Sequence, residues 1–265
     1  MRGLRSLTRG RALACGLFVV SAALALTGPR AMAQRAAADR AVPFKVGEVL
    51  TYDVGWSTYL TAGTATMSVK ERKAVGAGAA YDLVAEGRPS SLLDKLYHLY
   101  YKAQSFLDTR TLQPSIATVF SDERGRSKLR TVQFTGPRTI EFTPRANEPR
   151  EKHAVPALSQ DPLSALYVVR ALPLRAGQVL TMPIVDGNDV YQVRWQVGAP
   201  EPITTPAGAF SAWRITPTLS DAQGKAVANR RITLWLSNDA RRLPLKLQAG
   251  LPVGNFTLTL VKIAG

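Results

Sequence analysis

Cysteine and histidine are scarce in this sequence. Its 265 residues include one cysteine, Cys15, and two histidines, His98 and His153. A single thiol excludes a disulfide framework within the chain and a zinc site built from several thiolates. The sequence also contains no G-x-S-x-G nucleophile motif and no glycine-rich phosphate-binding loop. We therefore expect a non-enzymatic protein without a metal or other cofactor.

Long apolar runs are equally rare, and the one clear example lies at residues 12–27. Four arginines precede it, and the small residues Ala31-Met32-Ala33 follow it. This order of positive charge, apolar run and small residues predicts a signal peptide over residues 1–33 that is cleaved on export. No later segment reaches the roughly 20 apolar residues of a membrane-spanning helix, so we expect no transmembrane segment in the mature chain.

Basic residues outnumber acidic ones throughout. Residues 1–33 hold five of the 34 basic residues and none of the 19 acidic ones, so cleavage leaves 29 against 19, a net charge of +10. Such a balance favours anionic partners, which outside the cytoplasm are lipid headgroups, lipopolysaccharide phosphates and acidic glycans rather than nucleic acid. A solvated, arginine-rich surface explains the same charge equally well.

The mature chain divides into a short leader and one domain. Residues 34–42 are rich in alanine and arginine and show no hydrophobic period, which predicts a disordered leader. No internal repeat divides residues 43–265, so we expect a single β-rich domain there.

Short alternating segments dominate that domain. In residues 47–57, the apolar side chains of Leu50, Tyr52, Val54 and Trp56 fall on one face, as in a half-buried strand. Similar segments follow, with turn residues every eight to twelve positions, whereas residues 144–156 are polar and charged and predict a linker. The pattern predicts a mainly β fold, a large curved antiparallel sheet or half-open barrel of roughly eleven to twelve strands.

One principal helix is predicted over about residues 161–171. Asp161 suits the N-cap and Pro162 the first helical position, and the following apolar residues have helical spacing. A helix this short is marginal alone in water, so we expect it to pack on the sheet as a plug. A shorter helical turn is predicted from Ser90 or Ser91 to Leu96, with a strand after it.

Aromatic residues and one arginine form the candidate site. Large aromatics on strands usually belong to the core, but a curved sheet can also enclose an apolar cavity for a lipid-like ligand. Arg170 lies on the apolar face of the predicted helix, so it must pair with a carboxylate such as Asp53 or Asp161, or with an anionic headgroup. The candidate ligand-binding residues are Tyr52, Trp56, Tyr167, Arg170, Trp195, Trp213 and Trp235.

Several short motifs also occur in a specific order along the chain. They include Leu50-Thr51-Tyr52, Asp161-Pro162-Leu163 with Arg170, Thr205-Pro206-Ala207-Gly208, and Trp235-Leu236-Ser237. Together they resemble a family of exported Gram-negative proteins known only as a domain of unknown function. The resemblance implies a periplasmic β-rich domain, without an established activity or catalytic residues. The predicted architecture is also remotely similar to the half-open barrels of lipoprotein carriers, a likeness of fold alone.

Three functions are consistent with these observations. The first, which we favour, is a non-catalytic periplasmic binding protein for a hydrophobic or acyl-bearing envelope component. The second is an envelope interaction or scaffold module with a filled core. The third is a glycan hydrolase, because two carboxylates brought together by folding leave no trace in sequence. Its candidate residues are Asp53, Asp82, Glu86, Asp108 and Asp161.

Overall fold

The computed structural model describes residues 38–57, 60–75, 78–96, 98–227, 231–251 and 254–265. Within these ranges 14 strands form one sheet, accompanied by two helices. The strands are β1 Val49–Trp56, β2 Leu60–Val75, β3 Gly78–Pro89, β4 Leu99–Asp108, β5 Pro114–Glu123, β6 Arg126–Gly136, β7 Thr139–Thr143, β8 Glu151–Ala154, β9 Val179–Asp186, β10 Asp189–Thr205, β11 Gly208–Ser220, β12 Arg231–Ser237, β13 Pro244–Leu251 and β14 Gly254–Ala264. The helices are α1 Ser91–Leu96 and α2 Pro162–Ala171.

The sheet is an antiparallel meander that is joined in its middle. Its order is β8-β7-β6-β5-β4-β3-β2-β1-β14-β13-β12-β11-β10-β9, so the first and last strands of the chain pair with each other. The two free edges, β8 and β9, are consecutive in the chain, and α2 lies in the segment that connects them. The predicted curved antiparallel sheet, or half-open barrel, with one main helix is therefore confirmed.

The prediction of a linker over residues 144–156 was wrong, and this is one source of the higher strand count. Residues Glu151–Ala154 form β8, which pairs with Thr139–Phe142 of β7. An edge strand has a ladder partner on one side only and tolerates charged side chains. Three of the four β8 residues are exposed, so the segment shows no apolar alternation that a sequence pattern could reveal.

Side chains pack across the gap between the two sheet edges. Ile140 and Phe142 of β7 and Val185 of β9 share one buried cluster, which also includes Val132 and Val155. Gln160 forms an isolated parallel bridge with Ile184 of β9. The opening between β8 and β9 is thus bridged by hydrophobic packing and the segment before α2, rather than by a continuous hydrogen-bond ladder.

The described chain begins inside the predicted leader. Asp39 accepts hydrogen bonds from Arg72 at 2.8 Å and from Thr109 at 2.7 Å, and the amide of Arg40 donates to the carbonyl of Thr109. The ordered chain therefore starts before residue 43. The predicted signal peptide, residues 1–33, lies outside the described residues. Neither described helix combines the length and apolar character needed to cross a membrane.

The predicted helix is present with the expected cap. The Asp161 side chain accepts from the amides of Leu163 at 2.9 Å and Ser164 at 3.0 Å, while the Ser164 hydroxyl accepts from the Asp161 amide at 3.0 Å. This reciprocal capping box satisfies amide groups that the first turn leaves without helical partners. Helix α2 then packs on the inner face of the sheet between two cores, with Leu163 and Tyr167 in one and Ala165 and Val169 in the other.

Arg170 is fully buried and pairs with a carboxylate that we did not predict. Its two terminal nitrogens lie 2.7 and 2.9 Å from the carboxylate oxygens of Glu48, which precedes β1. Its Nε donates to the carbonyl of Arg242 at 3.0 Å. The rings of Phe44 and Tyr167 lie 5.3 and 5.0 Å from the guanidinium carbon. The guanidinium is therefore satisfied by the protein itself, and a role for Arg170 as a ligand gate is not supported.

The predicted partners Asp53 and Asp161 are placed elsewhere by simple geometry. Asp161 caps the opposite end of α2, nine residues or roughly 13 Å away along the helix axis. Asp53 alternates with Tyr52 and Val54 on β1 and is exposed on the other face of the sheet. The expectation that Arg170 must be paired was sound, but the choice of partner was wrong.

Replacing Arg170 with methionine should destabilise the fold by about 3 to 5 kcal/mol, because it leaves the Glu48 carboxylate buried without its counter-ion. Chemical denaturation would measure the loss. Combining Arg170→Met with Glu48→Leu should restore part of it, since the unpaired charge is then removed as well.

A matched surface change provides the control. Arg145 forms an exposed ion pair with Glu148 at 2.9 Å, and Arg145→Met should alter the free energy of unfolding by no more than about 0.5 kcal/mol. Equal losses for Arg145→Met and Arg170→Met would contradict the assignment of the Glu48 pair as a structural keystone.

Candidate ligand-binding groove

Six of the seven predicted site residues lie in the two cores around α2. Tyr52, Tyr167, Arg170 and Trp235 surround the first core, and Trp195 and Trp213 belong to the second. The Tyr52 hydroxyl donates to the carbonyl of Pro244 at 2.9 Å, and the Trp235 indole donates to Glu201 at 2.6 Å. These side chains fill the concave face beneath the helix.

Trp56 is the exception among the four tryptophans. It ends β1, and 40% of its surface is exposed, whereas each of the other three is at most 9% exposed. Its ring stacks on Phe256 of the neighbouring β14, with the ring centroids 6.3 Å apart and the planes 10° from parallel. Two large aromatic rings are thus held together at the edge of the core rather than inside it.

These rings form one wall of an open cavity of about 510 Å³, which we call the groove. Its walls come from β1 to β4, from β14 and from α1. Most of its lining is apolar. The lining residues are Val54, Trp56, Ala62, Gly63, Thr64, Gly87, Arg88, Pro89, Leu93, Leu99, Tyr101 and Phe256.

The groove continues the same sheet face that the core occupies. Along β1 the inward residues change from Leu50 and Tyr52, which are at most 2% exposed, to the half-buried Val54 and then to Trp56. Along β4 they change from the fully buried Leu107 to Tyr101 and Leu99, which are 43% and 41% exposed. The concave face is therefore filled where α2 covers it and open beyond the helix.

Two inward glycines keep the open part hollow. Gly63 lies opposite Val54 and Pro89, and a Cβ there would collide with the carbonyl of Arg88, so glycine permits the close approach of β2 and β3. Gly87 lies opposite Tyr101, and a Cβ there would meet no atom within 4 Å. The absent side chain of Gly87 leaves space that a ligand can occupy.

A smaller polar pocket of about 180 Å³ adjoins the groove and shares Tyr101 with it. It lies beside the N-terminus of α2, and its polar lining includes Gln104, Arg130, Asp161 and Asp186. Burial raises the pKa of Asp161, against the opposing effect of hydrogen bonds from Ser105 and Ser164. Burial also raises the pKa of the Tyr101 phenol, so that its hydroxyl stays neutral at the boundary between the two cavities.

The candidate carboxylates for a hydrolase do not meet in the groove. Asp161 caps α2, Asp108 accepts from the amides of residues 110 and 111, and Asp82 accepts from Gln104 at 2.7 Å. Glu86 lies 3.5 Å from Lys102. The described lining of the groove includes neither aspartate nor glutamate. A search of the described residues also finds no cluster of three or more metal-ligating side chains.

With this geometry in hand, the comparisons with known proteins can be stated. A family model described as Protein of unknown function (DUF3108) matches residues 51–261. The chain belongs to this DUF3108 family. The resemblance noted in the sequence is therefore confirmed. Comparison with curated proteins gives no significant match.

Solved structures show the same kind of fold at low identity. A β-barrel-like protein of the DUF1849 domain from Brucella abortus is 11% identical, with a TM-score of 0.54 over 83% of this chain and 97% of that one. A candidate lipoprotein from Parabacteroides distasonis is 10% identical, with a TM-score of 0.37 over 85% and 100% of the two chains. A candidate exported protein with a YmcC-like fold from Bacteroides fragilis is 12% identical, with a TM-score of 0.32 over 85% and 99%.

Sequence reasoning found one wall of the groove in the DUF3108 chain and missed the rest. Trp56 was predicted as a site residue, whereas Gly87, Leu99, Tyr101 and Phe256 were not. The alternation of Leu99 with Tyr101 was visible and placed both side chains on one strand face. The pairing that brings Phe256 opposite Trp56 joins strands 200 residues apart, and no local pattern predicts it.

Trp56 should supply most of the solvent-accessible tryptophan fluorescence of this DUF3108 domain, because the other three indoles are nearly buried. Acrylamide quenching would measure this, and Trp56→Phe should remove most of the quenchable emission. Trp213→Phe is the control and should leave the quenchable fraction largely intact. A quenching curve that Trp56→Phe does not change would contradict the exposed position of Trp56.

Proposed function

We propose that this DUF3108 protein is a non-catalytic binding protein that holds the acyl chain of an envelope component in the groove. The single observation that carries the proposal is the abrupt opening of the concave face beyond α2. There Trp56, Leu99 and Tyr101 remain exposed around a cavity of about 510 Å³. Exposed apolar surface of this kind typically marks a binding site.

The size and chemistry of the groove suit an acyl chain. Its volume falls within the roughly 300 to 1,000 Å³ typical of small-molecule sites. The apolar side chains of β1, β4 and β14 offer dispersion contacts and surface that binding would remove from water. The groove offers few polar groups to orient a compact polar ligand. Binding would be driven mainly by burial of the hydrocarbon, which needs no reaction chemistry.

The proposal also assigns a place of action. Export by the predicted signal peptide would bring the protein to the periplasm, where acyl-bearing envelope components are available. An envelope scaffold is the competing function, and it would use the same apolar rim to dock another protein. The scaffold function requires a protein partner but no bound hydrocarbon, so direct ligand binding separates the two.

Filling the groove should weaken binding of a neutral lipophilic probe such as N-phenylnaphthylamine. We expect Gly87→Leu to lower its affinity about tenfold or more, because the new side chain would project into the open space and compete with the ligand for it. Fluorescence titration measures the affinity. The position does not require a positive φ, so the change should be compatible with a folded strand.

Gly136→Leu is the matched control for this experiment. Gly136 also lies in a strand with a negative φ, and it contributes to a different cavity near Phe134. The Gly136 variant should bind the probe like the parent chain. A parent protein that binds no probe, and whose organic extract contains no lipid by mass spectrometry, would exclude the acyl-binding function and leave the scaffold function in its place.

A further inference from the structure

The inner face of the sheet changes character between β4 and β6. In register, Tyr101 of β4 lies opposite Ser121 of β5, which lies opposite Lys128 of β6. Directly opposed residues of antiparallel strands project to the same face of a sheet. Lys128 therefore projects to the same side as Tyr101, a groove residue, at two inter-strand steps or roughly 10 Å from it.

Two further cations on β6 share this face. One register row runs from Leu99 through Glu123 to Arg126, and another from Ala103 through Val119 to Arg130. Arg126, Lys128 and Arg130 thus alternate along one side of β6, over a span of roughly 13 Å. We call these three residues the basic ladder. It begins beside the polar pocket, which Arg130 lines, and extends along the flank of the groove.

The ladder carries more positive charge than its surroundings neutralise. Asp186 lies 3.8 Å from Arg130, and Glu123 lies across the strand pair from Arg126. In the described part of the chain, neither Arg126 nor Lys128 forms an ion pair within 4.0 Å, and both side chains are exposed. Like charges that follow one strand face repel each other, and an anion between them relieves that repulsion.

From this juxtaposition we infer that the ligand is an anionic amphiphile, whose chain occupies the groove and whose phosphate or carboxylate headgroup binds the basic ladder. This inference rests on the proposed function, since the groove must hold the chain. The guanidinium of Arg126 can contact two oxygens of such a headgroup at once, and the ammonium of Lys128 adds a second charge. The neutral Tyr101 hydroxyl lies on the path between the apolar and the basic regions.

Two probes with the same hydrocarbon test the inference. Dodecyl phosphate and dodecanol, each below its aggregation concentration, would displace N-phenylnaphthylamine from the parent protein. We expect dodecyl phosphate to bind about fivefold or more tightly than dodecanol, with a preference that shrinks as salt is added, because exposed charge contacts are modest and screened. Inorganic phosphate alone should not displace the probe.

The double variant Arg126→Gln/Lys128→Gln should lose most of this preference while keeping its affinity for dodecanol. Arg194→Gln/Arg214→Gln is the charge-matched control, because both arginines are exposed on β10 and β11 and neither lines the groove. The control should keep the preference for dodecyl phosphate. Circular dichroism would verify that both double variants are folded.

The possible failures are distinguishable. If neither amphiphile displaces the probe, the proposed acyl-binding function itself fails. If both bind the parent equally, or if the ladder variant keeps its preference, the groove function stands and the headgroup assignment is overturned. If the ladder binds anionic phospholipid vesicles while monomeric dodecyl phosphate shows no preference, the ladder is a membrane-surface contact and the inference is likewise overturned.

Discussion

The architecture depends on one buried ion pair between Arg170 and Glu48. The two residues are 122 positions apart, and their bond fixes the C-terminal end of α2 against the start of β1. Removing both charges from water costs several kcal/mol per ion, and only a bidentate pair with further hydrogen bonds offsets such a cost. The carbonyls of Arg241 and Arg242 supply those bonds. At the other end of the helix, Asp161 accepts from Ser105 of β4 at 2.6 Å. Both ends of α2 are therefore tied to defined points of the sheet.

This anchoring decides where the concave face is filled. A ten-residue helix is about 15 Å long, whereas the longest strands of this sheet contain 16 and 17 residues. The helix covers Leu50, Leu83 and Leu107 and leaves the far ends of β1 and β4 open. The groove is thus the part of the concave face that a short, fixed helix does not reach. Gly87 maintains the opening because it contributes no side chain there.

Local signals predicted much of this structure, and long-range pairing set the limits of prediction. The Asp161-Pro162 cap and the spacing of Leu163, Tyr167 and Arg170 were sufficient to place the helix and to require a partner for Arg170. They could not identify Glu48, because a carboxylate is selected by three-dimensional proximity rather than by spacing. The four tryptophans looked equivalent in sequence, each within an alternating strand. Only the position of α2 separates Trp56, beyond its reach, from the three that are buried. Charged β8 carried no strand signal because an edge strand needs none.

The change from apolar to basic along the concave face separates affinity from selectivity. A hydrocarbon groove gains free energy from each buried methylene and distinguishes poorly between acyl chains with different headgroups. Exposed cations such as Arg126 and Lys128 contribute little affinity in water, but they favour one sign of charge and speed the approach of a matching ligand. Placing these cations inside the groove would require their desolvation, whereas on β6 they remain hydrated beside it. The arrangement therefore allows the groove to provide the strength of binding and the ladder to provide its selectivity, without an unpaired charge in the core.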